Sequence, residues 1–119
     1  MVSILDIFSM RENILFSCPY LDAEVELSQE REQHIVETHP GTLPDYTQQL
    51  SETLADPDLV RQSSRDETAL LFSKWFSTIR TGRFLVVVVV SQTETNQPWI
   101  VTIYTARKIT GGTVIWTKS

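Results

Sequence analysis

One stretch constrains the fold of this chain more than any other: Phe84 to Val90, which is Phe-Leu-Val-Val-Val-Val-Val. Because alternate side chains of a strand point to opposite faces, a continuous apolar run of this length is typical of a strand covered on both faces. A helix is disfavoured, since successive valines lose rotamer freedom against the preceding turn. The run therefore predicts a central strand, with Phe84, Val86, Val88 and Val90 on one face and Leu85, Val87 and Val89 on the other.

Two more strands are predicted beside this one. The turn Thr81-Gly82-Arg83 joins the central strand to a preceding strand over residues 68–76, and a third strand follows over residues 99–105. The alternation assigns Leu70, Phe72, Lys74 and Phe76 to one face of the first and Ala69, Leu71, Ser73 and Trp75 to its other face. In the third strand it assigns Trp99, Val101 and Ile103 to one face and Ile100, Thr102 and Tyr104 to the other. Gly111-Gly112 then turns the chain into residues 113–116, which form either a short edge strand or a tail folded on the sheet.

The amino-terminal half predicts a hairpin and two helices. Apolar stretches at residues 4–8 and 14–18 and the alternating residues 21–27 indicate a β-hairpin with a turn near Pro19. Ser28 is placed to cap a helix that runs to about Thr38, and a second helix begins at Pro44-Asp45 and stops at residues 56–58. The whole chain, residues 1–119, is therefore expected to be one α+β domain. It comprises an amino-terminal hairpin (1–27) and a core (28–119) in which two helices pack on one face of a three- or four-stranded antiparallel sheet.

Composition excludes several classes of protein. A single cysteine, Cys18, excludes an internal disulfide and a thiolate metal cluster within one chain. The longest apolar run is far below the ~20 residues of a membrane helix, and the amino terminus lacks the basic region of a signal peptide. We therefore expect a cytoplasmic protein that does not engage a membrane.

Charge is divided unevenly along the chain. Residues 1–60 contain 12 acidic and 2 basic side chains, whereas residues 61–119 contain 3 acidic and 8 basic ones. The net charge of −5 argues against a generic nucleic-acid coat, but it conceals a basic carboxyl-terminal half.

Four short motifs carry a resemblance to a known family. They are residues 31–40 (REQHIVETHP), 53–60 (TLADPDLV), 71–74 (LFSK) and 101–105 (VTIYT). Together they resemble small bacterial and phage-associated domains of the barnase/EndoU/colicin/RelE-type nuclease fold, over about residues 28–116. The order helix, helix, antiparallel strands is kept. Glu32 departs from the family pattern, in which a large apolar residue tends to occupy that position.

The resemblance implies metal-independent RNA cleavage by a toxin-like ribonuclease that needs no cofactor. It implies a catalytic role for five residues, namely His34, Arg65, Lys74, Thr102 and Tyr104. His34 would transfer a proton, Arg65 and Lys74 would stabilise phosphate charge, and Thr102 with Tyr104 would position substrate. Arg31, His39 and Arg107 are the expected substrate-binding residues. RNA is the implied substrate, and an inhibitor or antitoxin protein is the implied partner.

Each candidate also has a structural interpretation. His34 could be an exposed helix residue paired with a neighbouring glutamate, and His39, before Pro40, could complete the end of the helix. Lys74 interrupts an apolar face, so it needs a partner if buried, or it extends over the aromatic side chains to water. Arg65 and Arg61 could clamp a phosphate, or could pair with nearby acids, which is the interpretation favoured for Arg61.

Two other functions remain open from the sequence. A non-catalytic domain could keep the nuclease fold and bind protein, and the acidic net charge and Glu32 favour that alternative. In addition, the acidic hairpin could mask the basic sheet and make the domain latent. Asp56 and Asp58 flank Pro57 as helix-ending residues, and no metal site is predicted.

Overall fold

The structure is an α+β fold in which two helices accompany one sheet. The computed structural model describes residues 13–91 and 97–119. Its elements, in chain order, are β1 (Ile14–Cys18), β2 (Ala23–Leu27), α1 (Gln29–Thr38), α2 (Thr47–Ala55), β3 (Leu59–Gln62), β4 (Ala69–Phe76), β5 (Arg83–Val90), β6 (Trp99–Ala106) and β7 (Thr113–Thr117). Neither of these helices is long and apolar enough to cross a membrane.

The sheet contains seven strands in the order β1-β2-β6-β5-β4-β3-β7. Neighbours are antiparallel except β2 and β6, which are parallel and meet at Glu26 and Trp99. The amino-terminal hairpin is confirmed as β1 and β2, while the predicted stretch at residues 4–8 lies outside the described residues. The expected antiparallel pairing is confirmed for the main part of the sheet, but the expected size of three or four strands is wrong. The sheet is larger and mixed, because the hairpin joins it through the parallel contact of β2 with β6 and because β3 was not predicted.

The first helix forms where its capping residue predicts it. The Ser28 hydroxyl accepts a hydrogen bond from the Arg31 N–H at 3.1 Å, and α1 ends at Thr38. The second helix begins later than predicted, at Thr47, because residues 42–46 form a turn in which the Tyr46 N–H donates to the Thr42 carbonyl at 2.8 Å.

The central strand is β5, and both of its faces are covered. The helix face, defined by Leu85, Val87 and Val89, packs in one core cluster with α1 and α2. The second face is defined by Phe84, Val86, Val88 and Val90; Val86 is fully buried there, and Val88 is half-buried. The predicted division of β5 is therefore confirmed, as is that of β4, whose Phe72 pairs with Val87 and whose Leu71 pairs with Val88.

A β-bulge in β6 changes its faces. Val88 pairs with Thr102 and Val89 pairs with Ile100, so Val101 has no partner on β5. As a result Ile100 joins Ile103 in the helix-face core, and the prediction that Ile100 shares a face with Thr102 and Tyr104 is wrong. Thr102 and Tyr104 pair with Val88 and Val86 and so lie on the second face.

Candidate functional site

A pocket of about 480 Å³ lies on the second face of the sheet. Strands β3, β4, β5 and β6 supply Arg61, Leu71, Val88 and Tyr104. Two loops supply the remaining lining residues, which are Ser63, Ser64, Arg65, Thr110, Gly111 and Gly112. The lining thus combines two guanidinium groups, several hydroxyls and two glycines, and no carboxylate.

Strand register explains why these residues meet. Arg61 pairs with Leu71, Leu71 with Val88, and Val88 with Thr102, so these four side chains form one row across the second face. The next row along the strands runs from Ser73 through Val86 to Tyr104. The pocket therefore opens over adjacent rows of four strands.

Arg61 is the most unusual residue of the pocket. Its side chain is only 2% exposed, and Nη1 donates hydrogen bonds to the carbonyls of Thr110 at 2.6 Å and Gly111 at 2.9 Å. Its Nε has no hydrogen-bond partner among the described residues, and no carboxylate in that part of the chain forms an ion pair with it. Because a buried charge needs compensation, this guanidinium leaves the pocket electropositive and suited to an anion.

The loop that carries Arg65 is held by its own hydrogen bonds. The Ser63 hydroxyl accepts from the Arg65 N–H at 3.1 Å, while the Asp66 carboxylate accepts from the hydroxyl and N–H of Thr68 at 2.7 and 2.9 Å. Those two bonds lower the pKa of Asp66 and occupy its carboxylate. The exposed Arg65 guanidinium has no partner within the described residues and remains available to a ligand.

The opposite wall depends on glycine. Gly112 has a φ of +68°, and a Cβ there would lie 2.7 Å from the Gln62 carbonyl oxygen. A larger residue would push the wall away from β3, since the obstacle is backbone. This close approach brings the carbonyls of Thr110 and Gly111 within reach of Arg61.

His39 is the histidine that contacts a pocket residue. It ends α1, where its N–H donates to the Ile35 carbonyl at 2.8 Å, so the predicted helix-end position is confirmed, with the backbone rather than the ring making the bond. The imidazole faces Tyr104, with ring centroids 6.2 Å apart and ring planes 34° apart. The end of α1 therefore places an imidazole beside Tyr104, although His39 itself does not line the pocket.

His34 and Arg31 lie on α1 away from the pocket lining. The His34 side chain is exposed, and its carbonyl accepts a hydrogen bond from the Thr38 hydroxyl at 2.8 Å. Arg31 Nη1 contacts the Val101 carbonyl at 3.5 Å and Nη2 lies 3.8 Å from Glu30 Oε1. Arg31 therefore connects α1 to the bulge of β6, and Arg107, exposed after β6, does not line the pocket.

Lys74 lies on the helix face, because it pairs with Leu85 on β5. Its Nζ donates to the Asp56 carbonyl at 2.8 Å and to the Asp56 carboxylate at 3.3 Å, with Asp58 at 3.9 Å. Lys118 and Lys74 both hold the pKa of Asp56 below its usual value. Lys74 thus completes the end of α2 through protein partners.

Of the five residues predicted to be catalytic, the structure brings Arg65 and Tyr104 together at the pocket. Thr102 shares the second face, and its buried hydroxyl has no partner in the described part of the chain. The sheet separates these residues from Lys74, and His34 is not among the lining residues.

Arg61 is the pocket residue whose role was underestimated. Its only signal in the sequence is its place after the apolar pair Leu59-Val60, which is compatible with a short strand. Across residues 13–91 and 97–119, no group of three or more His, Cys, Asp or Glu side chains is arranged to bind a metal ion. Comparisons with family models, curated protein sequences and solved structures found no significant match for this chain.

Proposed function

We propose that this protein binds single RNA phosphates in the second-face pocket and cleaves the RNA backbone without a metal ion. The observation that carries the proposal is that one cavity is lined by two guanidinium groups with no carboxylate partner among the described residues: that of Arg61, which is only 2% exposed, and that of Arg65. Paired guanidinium groups match the geometry of phosphate oxygens and bind them bidentately. The resemblance of the chain to the barnase/EndoU/colicin/RelE-type fold supports RNA as the source of that phosphate.

Within this proposal the roles differ from those expected from the sequence alone. Arg61 and Arg65 hold the phosphate and stabilise the negative charge that develops on it. Tyr104 orients the nucleotide from the floor of the pocket. His39 takes the place expected for His34, because its ring faces Tyr104.

His39 acts as general base in the proposed reaction. Its imidazole accepts the proton of the ribose 2′-hydroxyl, and the 2′-oxygen attacks phosphorus. The bond from phosphorus to the 5′-oxygen breaks, and water supplies a proton to the leaving oxygen. The products are a 2′,3′-cyclic phosphate and a free 5′-hydroxyl.

Cleavage of a fluorescent single-stranded RNA in the presence of EDTA tests this proposal. Substituting the base, His39→Ala, should lower the rate about 10²- to 10⁴-fold, because that is the usual contribution of a general base. His34→Ala is the matched control, since it removes an exposed imidazole from the same helix and should leave the rate unchanged. Arg65→Ala should also lower the rate.

Two results would contradict the proposed cleavage. Equal rates for His39→Ala and wild type would remove His39 from the reaction. Equal low rates in wild type and every variant would indicate a contaminating nuclease. His39→Ala keeps the backbone hydrogen bonds that end α1, so a loss of activity with an unchanged circular dichroism spectrum is attributable to the ring.

A second candidate function is protein binding through the β7 edge, and it would suit the inhibitor or antitoxin partner. Among the described residues β7 pairs with β3 alone, all five residues of β7 are exposed, and Val114, Ile115 and Trp116 are apolar. An exposed strand edge can add a strand from another chain. Co-purification that is lost in Ile115→Lys, with RNA binding unchanged, would support this candidate.

A further inference from the structure

An aromatic pair, of which one ring is exposed and the other half-buried, lies on the same face as the pocket. Trp75 of β4 pairs directly with Phe84 of β5, and their rings meet edge to face with centroids 5.0 Å apart. Trp75 is nevertheless 43% exposed. Because side chains alternate along a strand, Trp75 shares the second face with Leu71, which lines the pocket.

The indole is held firmly although it is exposed. Gly82 has a φ of +111°, and a Cβ at that position would lie 2.5 Å from Trp75 Cζ2, so the indole rests directly against the glycine. The backbone N–H of Trp75 donates to the Asp58 carboxylate at 2.8 Å, which holds this position of β4 in place. A large apolar ring fixed at the surface is a typical ligand contact, because it loses little conformational entropy on binding.

The spacing relates this pair to the pocket. Trp75 lies four residues beyond Leu71 on β4, which corresponds to about 13 Å along an extended strand. The row that contains Ser73, Val86 and Tyr104 lies between them. A strand of RNA whose phosphate occupied the pocket could therefore reach Trp75 with a base a few nucleotides away.

We propose that Trp75, supported by Phe84, is a base-stacking subsite for single-stranded RNA. This inference rests on the proposed function, because the phosphate in the arginine pocket aligns the strand. A base in a duplex has both faces stacked on its neighbours, so a stacking subsite selects unpaired nucleotides. Stacking accepts every base, and the subsite therefore contributes affinity without sequence preference.

Two ligands separate the subsite from the pocket. The first is a 2′-O-methyl oligouridylate of about six nucleotides, within the usual range for single-strand-binding grooves, which cannot be cleaved through its 2′-oxygen. The second is uridine 3′-monophosphate, which is long enough to fill the pocket alone. Trp75→Ala should weaken oligonucleotide binding about 10- to 100-fold, the usual effect of losing one stacked base. Monophosphate affinity should not change.

Matched variants complete the experiment, in which anisotropy reports oligonucleotide binding and calorimetry reports monophosphate binding. Trp75→Phe keeps an aromatic face and should retain most of the oligonucleotide affinity. Trp116→Ala removes a different exposed tryptophan, on β7, and should alter neither affinity. Arg65→Ala should weaken both ligands.

The outcomes distinguish the two proposals. If Trp75→Ala binds the oligonucleotide as tightly as wild type does, or loses both ligands equally, the stacking subsite is wrong while the pocket stands. If wild type binds neither ligand, the proposed function and this inference both fail.

Discussion

Replacing Arg61 with methionine tests whether its buried charge is held for a ligand. Methionine keeps an unbranched, flexible side chain, shorter than that of arginine, and has neither charge nor donor. The substitution removes the Nη1 bonds to the Thr110 and Gly111 carbonyls, at 2.6 and 2.9 Å. It also removes the unpartnered Nε and the cost of burying a guanidinium that is 2% exposed.

The stabilising and destabilising effects of Arg61→Met on the free energy of unfolding are of similar size. Hydrogen bonds to charged groups contribute about 1.5–3 kcal/mol each. The lower value applies here because Thr110 and Gly111 are exposed, so their carbonyls can bond water in the variant. Loss of the two bonds should therefore cost about 3 kcal/mol. Removal of the buried Nε donor, which has no partner among the described residues, should stabilise the fold by about 1–3 kcal/mol. Removal of the buried charge should stabilise it by a further amount of the order of a few kcal/mol. The free energy of unfolding of Arg61→Met should therefore fall by less than about 2 kcal/mol, or rise.

Urea unfolding followed by circular dichroism measures this change. Leu54→Ala is the reference, since it truncates a fully buried leucine and should cost about 2–5 kcal/mol. Uridine 3′-monophosphate at about 100 times its dissociation constant should add about 2.7 kcal/mol to wild type and nothing to Arg61→Met. A loss above about 4 kcal/mol in Arg61→Met without ligand would show that the folded chain already compensates the charge of Arg61, and the charge would then not be held for a ligand.

Two further predictions concern stability. Asp56→Asn should lower the melting temperature at neutral pH, because Lys118 and Lys74 stabilise the ionised carboxylate and so lower the pKa of Asp56 in the folded protein. The carboxylate therefore stabilises the fold above its unfolded pKa, and this contribution is lost as pH falls through the lower folded pKa. Melting curves of wild type and Asp56→Asn should thus converge in acid, and a constant difference at every pH would contradict the ion-pair assignment. Ser73→Ala should raise the urea midpoint and increase the free energy of unfolding by about 1 kcal/mol, because the buried Ser73 hydroxyl has no partner among the described residues. A lower midpoint would indicate an unrecognised hydrogen bond.

The parts of the fold that could be predicted are those set by local pattern. The valine run predicts β5 and its two faces, and Ser28 predicts the start of α1, because burial and capping are encoded at those residues themselves. β3 was missed because it is short and contains Arg61, whose burial depends on carbonyls from a loop near the other end of the chain. The β2–β6 contact is likewise a tertiary feature with no local signal.

The site could be predicted only in part, for a geometric reason. Neighbouring strands were expected correctly for β4, β5 and β6, but which side chains share a face depends on register to a single residue. Lys74 pairs with Leu85, and Leu85 with Thr105, so Lys74 shares a face with Thr105 rather than with Tyr104. Arg65 and Tyr104 reach the pocket because loop and strand converge there, which sequence proximity does not reveal.

The most direct test of the central claim is where an RNA phosphate binds. Amide chemical shifts of ¹⁵N-labelled protein, titrated with uridine 3′-monophosphate, report this site residue by residue. The largest changes should occur on the two pocket walls, at Ser64, Arg65, Gly111 and Gly112. Changes confined to α1 around His34, or to the Lys74 cluster on the helix face, would contradict the central claim.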